Sequence, residues 1–144
     1  MLVDANLLLY GIDEASPFHR TAKSWLEEVM NGPRRVGLPW QSLSAFLRIV
    51  TNPRALEHPL GPARAWALVR AWLDVPVVWV PQPTEGHAQI LGRLMVDLDL
   101  RANQIPDAEL ATLCIEHGLR ICSADTDFAR FPEVSWYNPL TAAS

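Results

Sequence analysis

The sequence predicts an α/β fold: a three-layer sandwich with a short, mainly parallel β-sheet flanked by helices. Three observations carry this. Apolar segments of helical period alternate along the chain with short apolar runs. Two of those runs, Met1-Leu2-Val3 and Val77-Val78-Trp79-Val80, are continuously apolar, as strands covered on both faces are. The 144 residues, 49% hydrophobic and 19% charged, suit one domain over residues 1–144. That composition excludes a disordered chain, and no repeat, linker or low-complexity segment interrupts it.

The elements follow in order. The first strand covers Met1 to Val3 and ends at Asp4. Ser16-Pro17 predicts a helix start, a capping hydroxyl followed by Pro at the first helical position. Ala22, Trp25, Leu26, Val29 and Met30 keep helical spacing until Asn31-Gly32-Pro33 stops it. A brief strand is expected within Arg35-Val36-Gly37-Leu38-Pro39. Trp40 to Val50 repeats the helical period through Leu43, Phe46, Leu47 and Val50, and Thr51-Asn52-Pro53 ends it. Gly61-Pro62 opens another helix, with Ala65, Trp66, Val69, Trp72 and Leu73 as its buried stripe. Trp66 and Trp72 are therefore read as core rather than as a base-stacking platform. Val77 to Val80, bracketed by Pro76 and Pro81, is the clearest strand. Thr84 caps a helix whose inner face is Ile90, Leu91, Leu94, Met95 and Leu98. Ile105-Pro106-Asp107 starts a further helix, with Ala108, Ala111, Cys114 and Ile115 inward and Gly118 closing it. A strand over Leu119 to Ser123, a turn or short helix over Asp125 to Arg130, and a last strand Val134-Ser135-Trp136 complete the chain.

Composition narrows the function. The formal net charge is -4, which argues against general nucleic-acid adhesion. Residues 1–72 carry eight Arg/Lys against six Asp/Glu, whereas residues 73–144 carry four against ten. A basic stretch and an acidic centre suit an enzyme that acts on a phosphodiester through bound cations; Arg side chains lying over helix surfaces would give the same pattern. There is no 18-residue apolar run, and MLVDANLLLY lacks a basic leader, so a cytoplasmic protein is expected. Cys114 and Cys122 fit neither a disulfide framework nor zinc-ligand spacing. Phosphate-binding glycine loops, nucleophile elbows and HExxH helices are missing, and His19, His58, His87 and His117 have no paired spacing.

What remains is a set of acids in awkward places. Asp4 follows an apolar strand, Asp107 begins a helix, and Asp125 and Asp127 follow the strand Ile121-Cys122-Ser123. In a parallel sheet, strand C-termini and helix N-termini open on one edge, where ligands bind. Asp4, Asp107 and Asp125 can therefore meet across large sequence separations. Such a cluster takes up a proton or a divalent cation. Taken singly, each acid also has a structural reading: Asp107 as a helix-dipole partner, Asp125 as a cap, Asp127 as a solvated side chain.

The chain resembles the PIN-domain nucleases, and within them the VapC toxins of bacterial type II toxin–antitoxin pairs. The resemblance rests on Met1-Leu2-Val3-Asp4-Ala5-Asn6, on Phe46-Leu47-Arg48-Ile49 with Thr51-Asn52-Pro53, on Pro106-Asp107-Ala108, and on Ser123-Ala124-Asp125-Thr126-Asp127-Phe128. It implies a Mg²⁺- or Mn²⁺-dependent endoribonuclease, silenced by a small VapB-like antitoxin and forming a homodimer. Position by position, it implies catalytic acids at Asp4, Asp107 and Asp125, with Asp127 at the edge of the metal site. Asn6 and Ser123 are expected to orient carboxylates, and Arg48 to lie near the RNA phosphate path. Members commonly carry a Glu just before the Phe-Leu-Arg segment; here that position is Ala45. Two alternatives follow. A catalytically silent module would act only by binding its antitoxin, which Ala45 favours. A phosphatase of the haloacid dehalogenase type would use Asp4 as nucleophile, but position 6 is Asn and the only Lys is Lys23.

Overall fold

A computed structural model describes residues 1–141; the last three residues of the expected domain, 142–144, lie outside the described residues. The chain forms strands β1 (Leu2–Val3), β2 (Val36–Gly37), β3 (Val78–Trp79), β4 (Ile121–Cys122) and β5 (Trp136–Tyr137). Between them lie helices α1 (Ala5–Ile12), α2 (His19–Met30), α3 (Trp40–Val50), α4 (Pro62–Leu73), α5 (His87–Asp97) and α6 (Gln104–His117). A 3-10 helix spans Thr126–Arg130. The strands pair in the order β3-β2-β1-β4-β5, and every pairing is parallel.

The runs of β1, β2 and β4 are buried on both faces, since consecutive side chains point to opposite sides and each side meets a helical layer. Val78 and Trp79 of the edge strand β3 are only half-buried. Val3, Val36, Leu38 and Cys122 pack with α1, α2, α3 and α4, whereas Leu2 and Ile121 pack with α5, α6 and Phe128. These two cores on either side of one sheet make the three layers. Gly37 is small because β2 runs against neighbouring backbone. A Cβ there would lie 2.9 Å from Pro81 Cγ and 3.1 Å from the Met1 carbonyl oxygen. Gly37→Ala should therefore cost about 1–3 kcal/mol in urea unfolding; an unchanged midpoint would show that this inner strand relaxes freely.

The helix bounds reflect local chemistry. The helical period expected from Trp40 to Val50 is realised in full as α3. Helix α2 begins at His19 rather than at Ser16-Pro17, because the Ser16 hydroxyl accepts from the Phe18 amide at 3.1 Å and closes a turn first. Helix α1 was not expected from periodicity. Asp4 caps it, accepting from the Ala5 amide at 2.7 Å, and Gly11 lets it approach Leu26 of α2. The last strand lies at Trp136–Tyr137, shifted beyond Val134-Ser135. Gly118 ends α6 in the left-handed conformation, φ 64°.

At the far end of α6, Glu116 ties α5 in place. Its side chain is only 1% exposed and accepts from the Thr84 amide at 2.9 Å, from the Thr84 hydroxyl, and from His87 Nδ1 at 2.8 Å. Burial pushes its pKa up, but the hydrogen bonds from His87 and Thr84 outweigh this and hold it below the ordinary value. Glu116→Ala should cost about 1–2 kcal/mol in chemical denaturation, since it removes the bonds that join Thr84 and His87 to α6. A variant as stable as wild type would mean that water replaces the carboxylate.

Candidate active site

The strand order creates the site. From β1 the chain moves outward through β2 to β3, then crosses back to place β4 and β5 on the other side of β1. The switch falls between β1 and β4, and a crevice opens beyond the C-terminal ends of strands at such a point. Asp4 leaves β1 there, Ser123 and Asp125 leave β4 there, and Asp107 lies in the first turn of α6. The register aligns them: Val3 pairs with Cys122, so Asp4 stands level with Ser123.

Asp4 is firmly held. One oxygen accepts from the Ala5 amide; the other accepts from Ser123 Oγ at 2.6 Å and from Asn6 Nδ2 at 3.3 Å. Asn6 also donates to Ser123 Oγ at 3.1 Å and accepts from the Ala124 amide at 3.3 Å. Ser123 is fully buried, and its hydroxyl accepts from the Asp125 amide at 3.0 Å. The Trp136 indole donates to the Ser123 carbonyl, fixing the same turn from β5. Asp125 in turn caps the 3-10 helix by accepting from the Asp127 amide at 2.8 Å. Both Asn6 and Ser123 thus stand where the sequence places them, tying β1 to β4. Asp4 has both oxygens engaged, which is poor preparation for a covalent nucleophile.

Asp107, Asp125 and Asp127 converge beside it. One carboxylate oxygen from each lies within 4.8 Å of the others. Two unit charges at that separation repel by roughly 3 kcal/mol at an effective dielectric near 20. Compensation is slight. Arg130 approaches Asp127 at 3.7 Å, and among the described residues no ion pair reaches Asp4, Asp107 or Asp125. The electrostatics follow. Partial burial pushes the Asp107 pKa up to about 6, reinforced by the charges of Asp125, Asp4 and Asp127 and opposed by Arg130. Burial also raises the Asp4 pKa, against the lowering hydrogen bonds from Ser123 and Ala5, with the Asp125 charge raising it further.

The structure therefore brings together all four acids that the sequence singles out, but with a different division of labour. Asp127 joins Asp107 and Asp125 in the tightest cluster, and Asp4 stands beside it, bound to Ser123. Arg48 is exposed in the last turn of α3, about 12 Å along the helix from Trp40, with no ion pair among the described residues. Ala45 packs against the α1–α4 core, and α3 contributes no carboxylate. Trp66 corrects its sequence reading. It is 47% exposed and stacks on Trp40, itself 42% exposed, because it lies at the shoulder of a stripe that buries Ala65 and Val69.

Fold and acidic edge together define a class, the PIN domain, whose family model matches residues 1–134. The chain is 39% identical over 138 residues to ribonuclease VapC37 of Mycobacterium tuberculosis, spanning 96% of each protein. It is 40% identical over 140 residues to ribonuclease VapC33 of the same organism, spanning 97% of this chain and 98% of the relative. The chain belongs to the PIN-domain family, among the VapC ribonucleases. Solved structures share the fold. VapC20 of M. tuberculosis, a sarcin–ricin-loop-cleaving toxin, superposes with a TM-score of 0.68 at 22% identity, over 93% of this chain and 98% of its own. The VapBC2 complex of Rickettsia felis, bound to a promoter DNA fragment, superposes with a TM-score of 0.70 at 13% identity, over 95% and 96%. Among the described residues no helix is long and apolar enough to cross a membrane.

Proposed function

We propose that this chain is a Mg²⁺- or Mn²⁺-dependent endoribonuclease, the toxin of a type II toxin–antitoxin pair acting in the cytoplasm. The observation that carries the reading is the convergence of Asp107, Asp125 and Asp127 within 4.8 Å, with no cationic side chain among the described residues paired to any of them but Asp127. This donor set fits a hard, oxygen-seeking dication, whose remaining positions go to water and phosphate. Asp107, Asp125 and Asp127 would hold it, with Asp4 held beside them by Ser123. When bound, such an ion supplies the acidity that makes water a nucleophile near neutral pH and neutralises charge on the leaving oxygen.

The chain's own residues prepare that chemistry. Ser123 and Asn6 fix the Asp4 carboxylate, so it does not reorganise when substrate arrives. The Asp125 turn, held by its bond from Asp127, keeps two carboxylates on the same lip of the crevice. Arg130 balances Asp127 and leaves Asp107 and Asp125 free for ligation. The convergence of Asp107, Asp125 and Asp127 supports a metal-holding set despite Ala45. Family membership supports a VapB-like antitoxin and a second copy of the chain as protein partners, with Arg48 as a candidate phosphate contact.

The test is cleavage of cellular RNA by antitoxin-free protein in Mg²⁺ or Mn²⁺, with and without EDTA. Cleavage that stops with EDTA and in Asp4→Asn, leaving 5′-phosphate and 3′-hydroxyl ends, is the expected result. Cleavage that persists in EDTA would overturn the metal requirement. Absence of cleavage, with calorimetry showing no Mg²⁺ or Mn²⁺ binding, would favour the silent antitoxin-binding module.

A further inference from the structure

We propose that Trp40 and Trp66 form a stacking platform for an unpaired RNA base beside the acidic crevice. The inference rests on the ribonuclease reading above and deepens it. The two indoles lie nearly parallel, 11° apart with ring centroids at 6.5 Å, and both remain substantially exposed. Aromatic faces this open are unusual for a small domain that buries Phe46, Phe128 and Phe131 almost completely.

Their position ties them to the site. Leu2 pairs with Gly37 in parallel register, so Pro39 stands level with Asp4 one strand away, a lateral step of about 4.8 Å. Trp40 is the next residue, the first of α3, and the stack places Trp66 against it. The register thus sets the first turn of α3, and with it the tryptophan pair, at the same sheet edge as Asp4. Stacking on an indole face accepts any base but requires that the base be unpaired, which a duplex does not offer.

Acids converge at the crevice itself, so an uncharged contact beside it is a means of holding RNA close to the cut, and the tryptophan pair offers one.

The experiment measures binding of a single-stranded oligoribonucleotide of mixed sequence by tryptophan fluorescence quenching and by anisotropy, in an Asp107→Asn background so that RNA stays intact. Trp40→Ala and Trp66→Ala should each weaken binding about tenfold or more, and Trp→Phe at either position should restore most of it. In the otherwise wild-type enzyme the same changes should raise KM more than they lower kcat. An RNA duplex should compete poorly. Undiminished binding by the Trp40→Ala, Trp66→Ala double variant, or equal competition by duplex, overturns the proposal. So does a fall from dimer to monomer in sedimentation of that double variant, which would assign the pair to an interface between copies. Quenching by RNA without cleavage by the wild-type protein would instead leave the platform standing and remove the ribonuclease reading.

Discussion

Asp107→Asn should lower RNA cleavage by roughly 10²–10³-fold and, in EDTA, make the protein more stable than wild type. Both effects follow from one arrangement. Removing a carboxylate from the cluster removes a cation ligand, and several kcal/mol of transition-state stabilisation correspond to that fold-loss at about 1.4 kcal/mol per decade. The same change removes like-charge repulsion that the metal-free protein bears. Asp107 holds its proton up to about pH 6 in the folded state, against 3.8 as its ordinary value. The folded state therefore binds the additional proton between those values, and this group's contribution to stability falls as pH rises from about 4 to about 6. The sign is opposite to that of a salt-bridged Asp. Because Asp107 keeps a solvent-facing side, its ionisation costs on the order of 1–2 kcal/mol after allowance for screening. Urea unfolding of both proteins in EDTA should show nearly equal stability near pH 4 and a gap of that order favouring the variant above pH 7. Adding Mg²⁺ should stabilise wild type and narrow the gap. A variant that is less stable at every pH would show that Asp107 serves the fold.

Ser123→Ala is the second large effect. The hydroxyl donates to Asp4 and accepts from Asn6 and from the Asp125 amide, all without contact with solvent. Its loss leaves the Asp125 amide unpaired and one Asp4 oxygen short of a donor, at a cost of about 1–3 kcal/mol. Cleavage should fall roughly 10–100-fold, as expected when a group that orients ligands is removed. A distinct signature separates this from simple destabilisation. The Ser123 hydrogen bond lowers the Asp4 pKa, so without it the acid limb of the pH–rate profile should move to higher pH. An unmoved limb, with kcat unchanged at saturating RNA, would leave Ser123 with a packing role only.

Much of this site is legible before folding, for particular reasons. Asp4 is conspicuous because an acid ending a both-face-buried strand needs partners, and it finds Ala5, Asn6 and Ser123. Asp125 is conspicuous because it follows an apolar strand, and Asp107 because it follows Pro106 at a helix start. Helix α1 escaped because eight residues, Ala5–Ile12, are mostly apolar and give little periodic contrast. Trp66 escaped because helical spacing identifies a stripe but not its edges; the two Trp residues of α4 differ only in what lies opposite them. Trp72 packs edge-on against Phe46, whereas Trp66 stacks on Trp40 at the surface and stays 47% exposed.

The sequence by itself determined the alternation of helices with both-face-buried strands, and with it a sheet whose polar edge must carry the acids. It also determined the residue types there, with Asp4 and Asp125 following strands and Asp107 in the first turn of a helix. The tertiary structure alone decided the grouping. Whether Asp127 joins Asp107 and Asp125, and whether Asp4 faces the cluster or is consumed by Ser123, depends on ångström differences. Those differences are set by strand register and by the turn after β4. Electrostatic repulsion falls only as the inverse of distance, so the chain tolerates many approximate groupings, whereas ligation of one ion requires a single close one.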